Sequence, residues 1–380
     1  MIYFGGPMKY DGVVIGGGIV GLAAAWHFRG LGPTRVLLLE RFQQGHERGS
    51  SHGTSRIIRS AYPSPAYVHL MRAVTREEWP RLESLAGTQL VFPCPACFFG
   101  RGALFDAYAD TMRAFPNEVE ILSGAEAAPL FPSLRLDGVD AIVDRTGGVL
   151  AARRTMDTLR RLCDEAGVEV RENAPVHSWS SEPDGIRLRY EGGEVLARHV
   201  MVAAGAWLSE LLPLLNSRVF VARQTIGYFR LDGPMSVGRF PVWCYLGDQA
   251  NDFYYGLPEF DRDGVKLARH YTAGRSDDPN QATTPDPEAL EDLHRFASRR
   301  FTAPVLDMAG AESCLYTCTP TEDFIIDRHP EDSRLVFASA CSGHGFKFGP
   351  LTGRILAELV LLGKTSVPEF EDHRATFAVT

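Results

Sequence analysis

The stretch YDGVVIGGGIVGLAAAWHFRGLGPTRVLLLER, residues 10–41, decides the fold. Val13–Ile15 is a short apolar strand. Gly16, Gly18 and Gly21 follow as G-x-G-x-x-G, and small and apolar residues then continue at helical spacing through Leu22, Ala25 and Trp26. A loop with Gly32 and Pro33 leads into a second apolar strand, Val36–Leu39, which ends at Glu40. Each part has a physical task. Gly16 permits the tight turn, Gly18 lets the backbone approach a pyrophosphate, and Gly21 lets the helix pack close to the strand. The helix N-terminus favours the phosphates, and a carboxylate at the end of the second strand can accept from ribose hydroxyls. Strand, helix, strand and terminal acid together point to a dinucleotide. The motif alone does not separate NAD from FAD.

The rest of the chain extends this sheet. Gly147–Leu150 precedes a helical pattern at Met156, Leu159, Leu162 and Cys163, and Val168 and Val170 begin another strand. Val200–Ala204 and Leu335–Ala340 are further apolar strands, so the nucleotide domain is expected to be discontinuous. The stretches 92–105 and 219–271 instead mix short polar and apolar alternations with Gly and Pro turns, as in FVARQTIGYFRL and FYYGLP. They predict a mixed or antiparallel sheet in a second domain. DPNQATTPDPEA, residues 278–289, reads as a surface loop and PEALEDLHRFASRR as a helix with a charged face.

Composition narrows the partners. The chain has 380 residues, 45% of them apolar and 23% charged, with a net charge of −8. An acidic surface argues against nucleic acid, whose phosphates need a basic patch. No run of 18 apolar residues is present, and the first residues lack a basic segment followed by an apolar core, so no membrane span or signal peptide is expected and the location is expected to be cytoplasmic. The seven cysteines read as reduced thiols. Cys94 and Cys97 form a CxxC with no second pair nearby, which leaves a zinc site half built and no metal is expected.

Three segments carry candidate chemistry. GSSHGTSRIIRSAY, residues 49–62, holds His52, Arg56 and Arg59. Either arginine can offer a bidentate fork to a carboxylate. SGHGFKFG, residues 342–349, lies between a strand and a helix beginning at Pro350, with Lys347 between Phe346 and Phe348. Lys266 sits in DGVKLARHY, where extended structure puts Lys266, Ala268 and His270 on one face. In ESCLYTCTP, residues 312–320, spacing alone leaves Cys314 open as a metal ligand, half of a disulfide, a buried thiol or a covalent handle.

Together GSSHGTSRIIRSAY, the FYYGLP to VKLARHY region, CLYTCTPTEDFIIDRHP and SGHGFKF resemble, in order, the monomeric sarcosine oxidase and N-methyltryptophan oxidase family of D-amino-acid-oxidase-like flavoproteins. The resemblance runs from about residue 10 to about residue 365. It implies an α/β fold class: a discontinuous Rossmann-type FAD-binding domain (8–90, 147–215 and 322–370) and a second α+β substrate domain (91–146 and 216–321) with a mixed or antiparallel sheet. It implies FAD bonded through Cys314 to the flavin 8-alpha carbon. It also implies cofactor contacts from Gly16, Gly18, Gly21, Glu40, Arg41, Ser51, His52, Arg56, Val176, Gly343, Gly345, Phe346 and Lys347. Arg59 and Lys347 would clamp a substrate carboxylate, with Tyr255 and Tyr316 lining the substrate side. Lys266 would promote oxygen reduction, and His270 and Arg56 would be polar neighbours of the ring. The implied reaction oxidises a secondary amino acid, N-methylated or cyclic, to an imine that hydrolyses, with oxygen reduced to hydrogen peroxide. A related dehydrogenase with another electron acceptor and an idle flavin-binding scaffold are the rival readings. The family name carries the expectation of a monomer.

The sequence departs from the family at two places. Gly53-Thr54-Ser55-Arg56 stands where the family has Gly-Asp-Thr-Arg, which removes an acid. Glu259-Phe260-Asp261-Arg262-Asp263 replaces a neutral, glycine-rich turn, and reads either as an entrance element that selects an unusual amine or as a solvated turn.

Overall fold

A computed structural model describes residues 8–249, 252–270, 277–281 and 284–379. The loop expected at 278–289 includes residues 282 and 283, which lie outside these, as does Tyr271. The chain forms two compact units, 1–52 with 155–221 and 316–380, and 53–154 with 222–315. The stretches 53–90 and 147–154, expected with the nucleotide domain, therefore belong to the second unit. Strand pairing explains this: Ser55–Ile58 and Val91–Pro93 both pair antiparallel with Gly148–Ala151, which ties these segments to one another.

The first unit is built on Met8–Ile15, a longer strand than Val13–Ile15. It pairs in parallel with Val36–Leu39 on one side and with Gly193–Val202 on the other. Glu169–Arg171 extends the parallel sheet beyond Val36–Leu39. On the other side the ten-residue strand Gly193–Val202 divides its pairing. Its first half joins the antiparallel strand Gly185–Tyr190, and Val200–Val202 pair in parallel with Leu335–Phe337. Runs such as Val36–Leu39 are buried throughout, as a sheet covered on both faces requires. Ile19–Gly30 packs on this sheet, and so does Gly349–Leu362, whose Leu351, Ile355 and Leu359 form its buried stripe.

The second unit contains an eight-stranded sheet. Its order is Val305–Cys318, Phe220–Leu231, Val265–Arg269, Phe253–Leu257, Val242–Leu246, Ala96–Gly100, Asp140–Asp144 and Val119–Ser123. Most neighbours are antiparallel, but Val242–Leu246 and Ala96–Gly100 run parallel, so the sheet is mixed. Pro287–Arg300 is the helix expected from its pattern. Asp286 caps it by accepting the Glu288 N–H at 3.0 Å, and Leu293, Phe296 and Ala297 face the core. There Phe296 stacks on Trp243 with ring centroids 5.4 Å apart. Rings of this size each contribute about 2–3 kcal/mol through burial. Cys97 belongs to this core and Cys94 is also buried, its thiol donating to the Phe240 carbonyl. None of the seven cysteines forms a disulfide, and among the described residues no His, Cys, Asp and Glu side chains cluster as metal ligands. No described helix is long and apolar enough to cross a membrane.

Candidate active site

In the first unit the glycine turn has the form its spacing demands. Gly16 has φ +106°, and a Cβ there would lie 2.4 Å from the Ala203 carbonyl oxygen. A Cβ on Gly21 would lie 1.8 Å from the Gly16 carbonyl oxygen, so the helix reaches the strand only through glycine. Gly18 is the helix N-cap and brings no capping side chain. Ser51 serves this end instead, its hydroxyl accepting the Ile19 N–H at 3.2 Å. The N–H groups of the first turn lack intrahelical acceptors and favour an anion.

Glu40 ends the second strand, nearly buried. One carboxylate oxygen accepts the Gly17 N–H at 2.5 Å and the other the Phe42 N–H at 2.8 Å, with His46 Nε2 3.4 Å away. Burial pushes this carboxyl up, but His46 and the two N–H groups outweigh it and hold Glu40 below the ordinary carboxylate range. It is thus a fixed anion whose remaining lone pairs can accept from ribose hydroxyls. A glycine cradle, an anion-favouring helix end and a carboxylate at the second strand fit a flavin dinucleotide. Arg41 lies beside Glu40, paired with Glu210 at 2.8 Å and stacked on Trp207. His52 Nδ1 lies 3.0 Å from the Gly49 carbonyl, and Val176 opens the strand Val176–Glu182.

A second loop in this unit, 340–349, is equally constrained. A Cβ on Gly345 would meet the Ala340 carbonyl oxygen at 1.8 Å, and Gly343 has φ +75°. The Ser342 N–H donates to the Thr317 carbonyl at 2.9 Å, which ties the loop to the strand segment carrying Tyr316. Phe346–Phe348 form a single 3-10 turn before the helix. Lys347 is buried within it and donates to the His344 carbonyl at 2.8 Å.

In the second unit, Arg56 lies in the strand Ser55–Ile58 and donates to the Ser55 carbonyl at 2.8 Å. Arg59 falls one residue past that strand. Asp144 holds the chain there by accepting the N–H groups of Ser60 at 2.6 Å and Ala61 at 2.9 Å. Arg59 is 6% exposed. It donates to the Ala61 carbonyl at 2.8 Å and the Tyr108 hydroxyl at 3.3 Å, and its guanidinium lies over the rings of Tyr62 and Phe98. Among the described residues no carboxylate pairs with it.

Lys266 is 3% exposed. Its ammonium donates to the Ser55 carbonyl at 3.3 Å and lies 3.6 Å from Glu312 Oε1. Burial and the nearby Arg56 pull Lys266 down to about 8, against the pull of Glu312. Cys314 is buried in the strand Val305–Cys318 and is among the titratable groups that bear on Lys266. Tyr255 pairs with Ala268 across the neighbouring strand, and His270 follows that strand, its ring 5.0 Å from Phe253. Lys266, Arg56, Ser55 and Cys314 thus form one group, and Arg59 is the centre of an aromatic one. Cys318 is buried, which pushes its thiol well up. The turn 259–263 is exposed at its tip yet pinned: Asp261 pairs with Arg154 at 2.6 Å, Arg262 with Glu312 at 2.9 Å and Asp263 with Arg230 at 2.7 Å.

Asp144, Tyr108, Tyr228 and Glu312 escaped the sequence reading. Only Glu312 left a signal, standing two residues before Cys314 and hence on the same strand face.

The model of the DAO family, FAD dependent oxidoreductase, matches residues 11–359. The chain is similar to peroxisomal sarcosine oxidase of Mus musculus, with 34% identity over 92% of each chain. It is also similar to monomeric sarcosine oxidase of Bacillus sp. (strain B-0618), with 31% identity over 94% of this chain and 93% of the relative. Among solved structures it is similar to NikD, an unusual amino acid oxidase essential for nikkomycin biosynthesis. That likeness has a TM-score of 0.82 and 25% identity, and covers 94% of this chain and 95% of that one.

Proposed function

The chain belongs to the DAO family of FAD-dependent oxidoreductases, and on that premise we propose that it oxidises a secondary amino acid, N-methylated or cyclic, to an imine. Water then hydrolyses the imine, and molecular oxygen takes the two electrons and two protons to give hydrogen peroxide. Sarcosine and N-methyl-L-tryptophan oxidases among the relatives support this substrate class. Bound FAD supplies the redox chemistry by accepting a hydride equivalent from the carbon next to nitrogen.

The observation that carries the proposal is Arg59. A buried guanidinium against aromatic faces, without a carboxylate partner among the described residues, is completed by a ligand that brings its own carboxylate. Lys347 is the second proposed carboxylate-binding cation. Tyr255 and Tyr316 orient the amine, which reacts in its neutral form because the ammonium has no lone pair. Lys266 places a cation where negative charge develops on oxygen, and His270 and Arg56 add polar contacts to the ring. Cys314 is the proposed attachment point of the flavin. A chain that acts alone, as a monomer, belongs to the same reading.

Peroxide formation tests this directly. N-methyl amino acids and cyclic imino acids are compared with their carboxamides in a peroxidase-coupled assay. The acids are expected to yield peroxide and the amides to be poor substrates. Equal turnover of acid and amide would remove the carboxylate clamp. Reduction of an artificial dye without peroxide would favour a dehydrogenase.

A further inference from the structure

Of the 39 basic residues only four are lysines: Lys9, Lys266, Lys347 and Lys364. Lys266 is buried, and a buried ammonium that lacks a counter-ion neutralises itself rather than stay charged. Its surroundings pull both ways. Arg56 opposes the charge, and the carboxylate nearest to it belongs to Glu312, whose Oε1 is 3.6 Å away.

Glu312 is held in place by two further groups. Its Oε1 accepts the Tyr228 hydroxyl at 2.7 Å, and its Oε2 accepts from Arg262 Nη1 at 2.9 Å. Arg262 in turn lies over the Tyr228 ring, its Cζ 3.8 Å from the centroid. Strand register explains the grouping. Tyr228 and Lys266 are direct cross-strand partners, and Glu312 and Cys314 are two apart on one strand face.

We propose that Glu312 is a positioning residue that keeps Lys266 protonated in its buried site, and that Tyr228 and Arg262 fix its carboxylate for that task. The inference rests on the reading of Lys266 as the cation that serves the oxygen reaction. Glu312 stands in the same unit as Gly53-Thr54-Ser55-Arg56, and its Oε1 would lie 3.5 Å from a Cβ on Gly53. It therefore supplies a carboxylate beside the segment that lost its acid. The charged and titratable groups that bear on Lys266 are Arg56 from the strand Ser55–Ile58, Tyr228 from Phe220–Leu231, and Glu312 with Cys314 from Val305–Cys318. Arg262 acts through Glu312.

Four lysines make the test direct. Holoenzyme grown with lysine labelled at the ε-carbon gives few signals, and Lys266→Met identifies the one of interest. The midpoint of that signal against pH reports the protonation of Lys266 itself. Glu312→Gln is expected to lower the midpoint by about one pH unit or more, a tenfold change in the equilibrium. Glu312→Asp, should the glutamine variant not accumulate, is expected to move it the same way by less. An unmoved midpoint in either variant, with a native flavin spectrum, overturns the inference. The rate at which substrate-reduced enzyme reacts with oxygen provides a second readout. Its decline with rising pH is expected to begin at lower pH in Glu312→Gln. If Lys266→Met leaves the oxygen rate unchanged, the role of Lys266 falls, and the lysine signal still decides the counter-ion.

Discussion

Arg59 owes its position to Asp144, a residue 85 places further along the chain. The Asp144 carboxylate is fully buried and accepts four donors: the N–H groups of Ser60, Ala61 and Thr146, and the Thr146 hydroxyl. Burial raises its carboxyl against the pull of these donors. Asp144→Ala would leave the Ser60 and Ala61 N–H groups buried without an acceptor, at about 1–3 kcal/mol each. Lower stability in urea and a raised KM for the amino acid are the expected outcomes, and Asp144→Asn, which keeps one acceptor oxygen, is expected to show smaller losses in each. An unchanged KM in a folded Asp144→Ala would separate the Asp144 anchor from the clamp. At Lys266 the pH dependence has a definite sign. The ammonium predominates below about 8 and is lost above it, so the oxygen reaction is expected to slow as pH rises through that value. Stopped-flow mixing of reduced enzyme with oxygen across pH measures this.

At the scale of elements, the amino-terminal strand–helix–strand was legible because its glycines answer to local sterics. Gly21 touches the Gly16 carbonyl, a contact five residues apart, and such contacts are written in spacing. Gly21→Ala is therefore expected to force the helix off the strand. The ratio of flavin to protein absorbance in the purified variant should fall sharply, and a variant that retains full flavin would contradict the tight contact. Val36–Leu39 and Pro287–Arg300 were equally legible, the first as an apolar run and the second as a helix with a charged face. The polar partners of the site were not. Glu312 meets Arg262 across 50 residues and Asp144 meets Ser60 across 84, and no periodicity records such pairs. The turn 259–263 shows the same limit: its charges read as an entrance element or a solvated turn, and three of them are tied to arginines or to Glu312 elsewhere in the unit.

At the scale of the whole molecule, the two units divide the chain at points that composition did not mark. Ser55–Ile58 joins the second unit through pairing with Gly148–Ala151, a long-range choice made by the three-stranded sheet. The thiols offer a census of the whole chain. Six of the seven cysteines are buried, and Cys341 is partly exposed. Alkylation of native protein is expected to reach Cys341 alone. After denaturation of the holoenzyme, one thiol fewer than the seven should react, with Cys314 the blocked one. Seven reactive thiols would mean that flavin is held without a bond to sulfur. The central claim is amine oxidation coupled to oxygen, and one measurement reaches it most directly. Holoenzyme is mixed anaerobically with a panel of N-methyl and cyclic amino acids while the visible flavin absorbance is followed, and oxygen is then admitted. Loss of the absorbance with at least one of these acids, and its return with one hydrogen peroxide formed per flavin, is the expected result. Flavin that no secondary amino acid bleaches, or that bleaches and does not recover in oxygen, would contradict it.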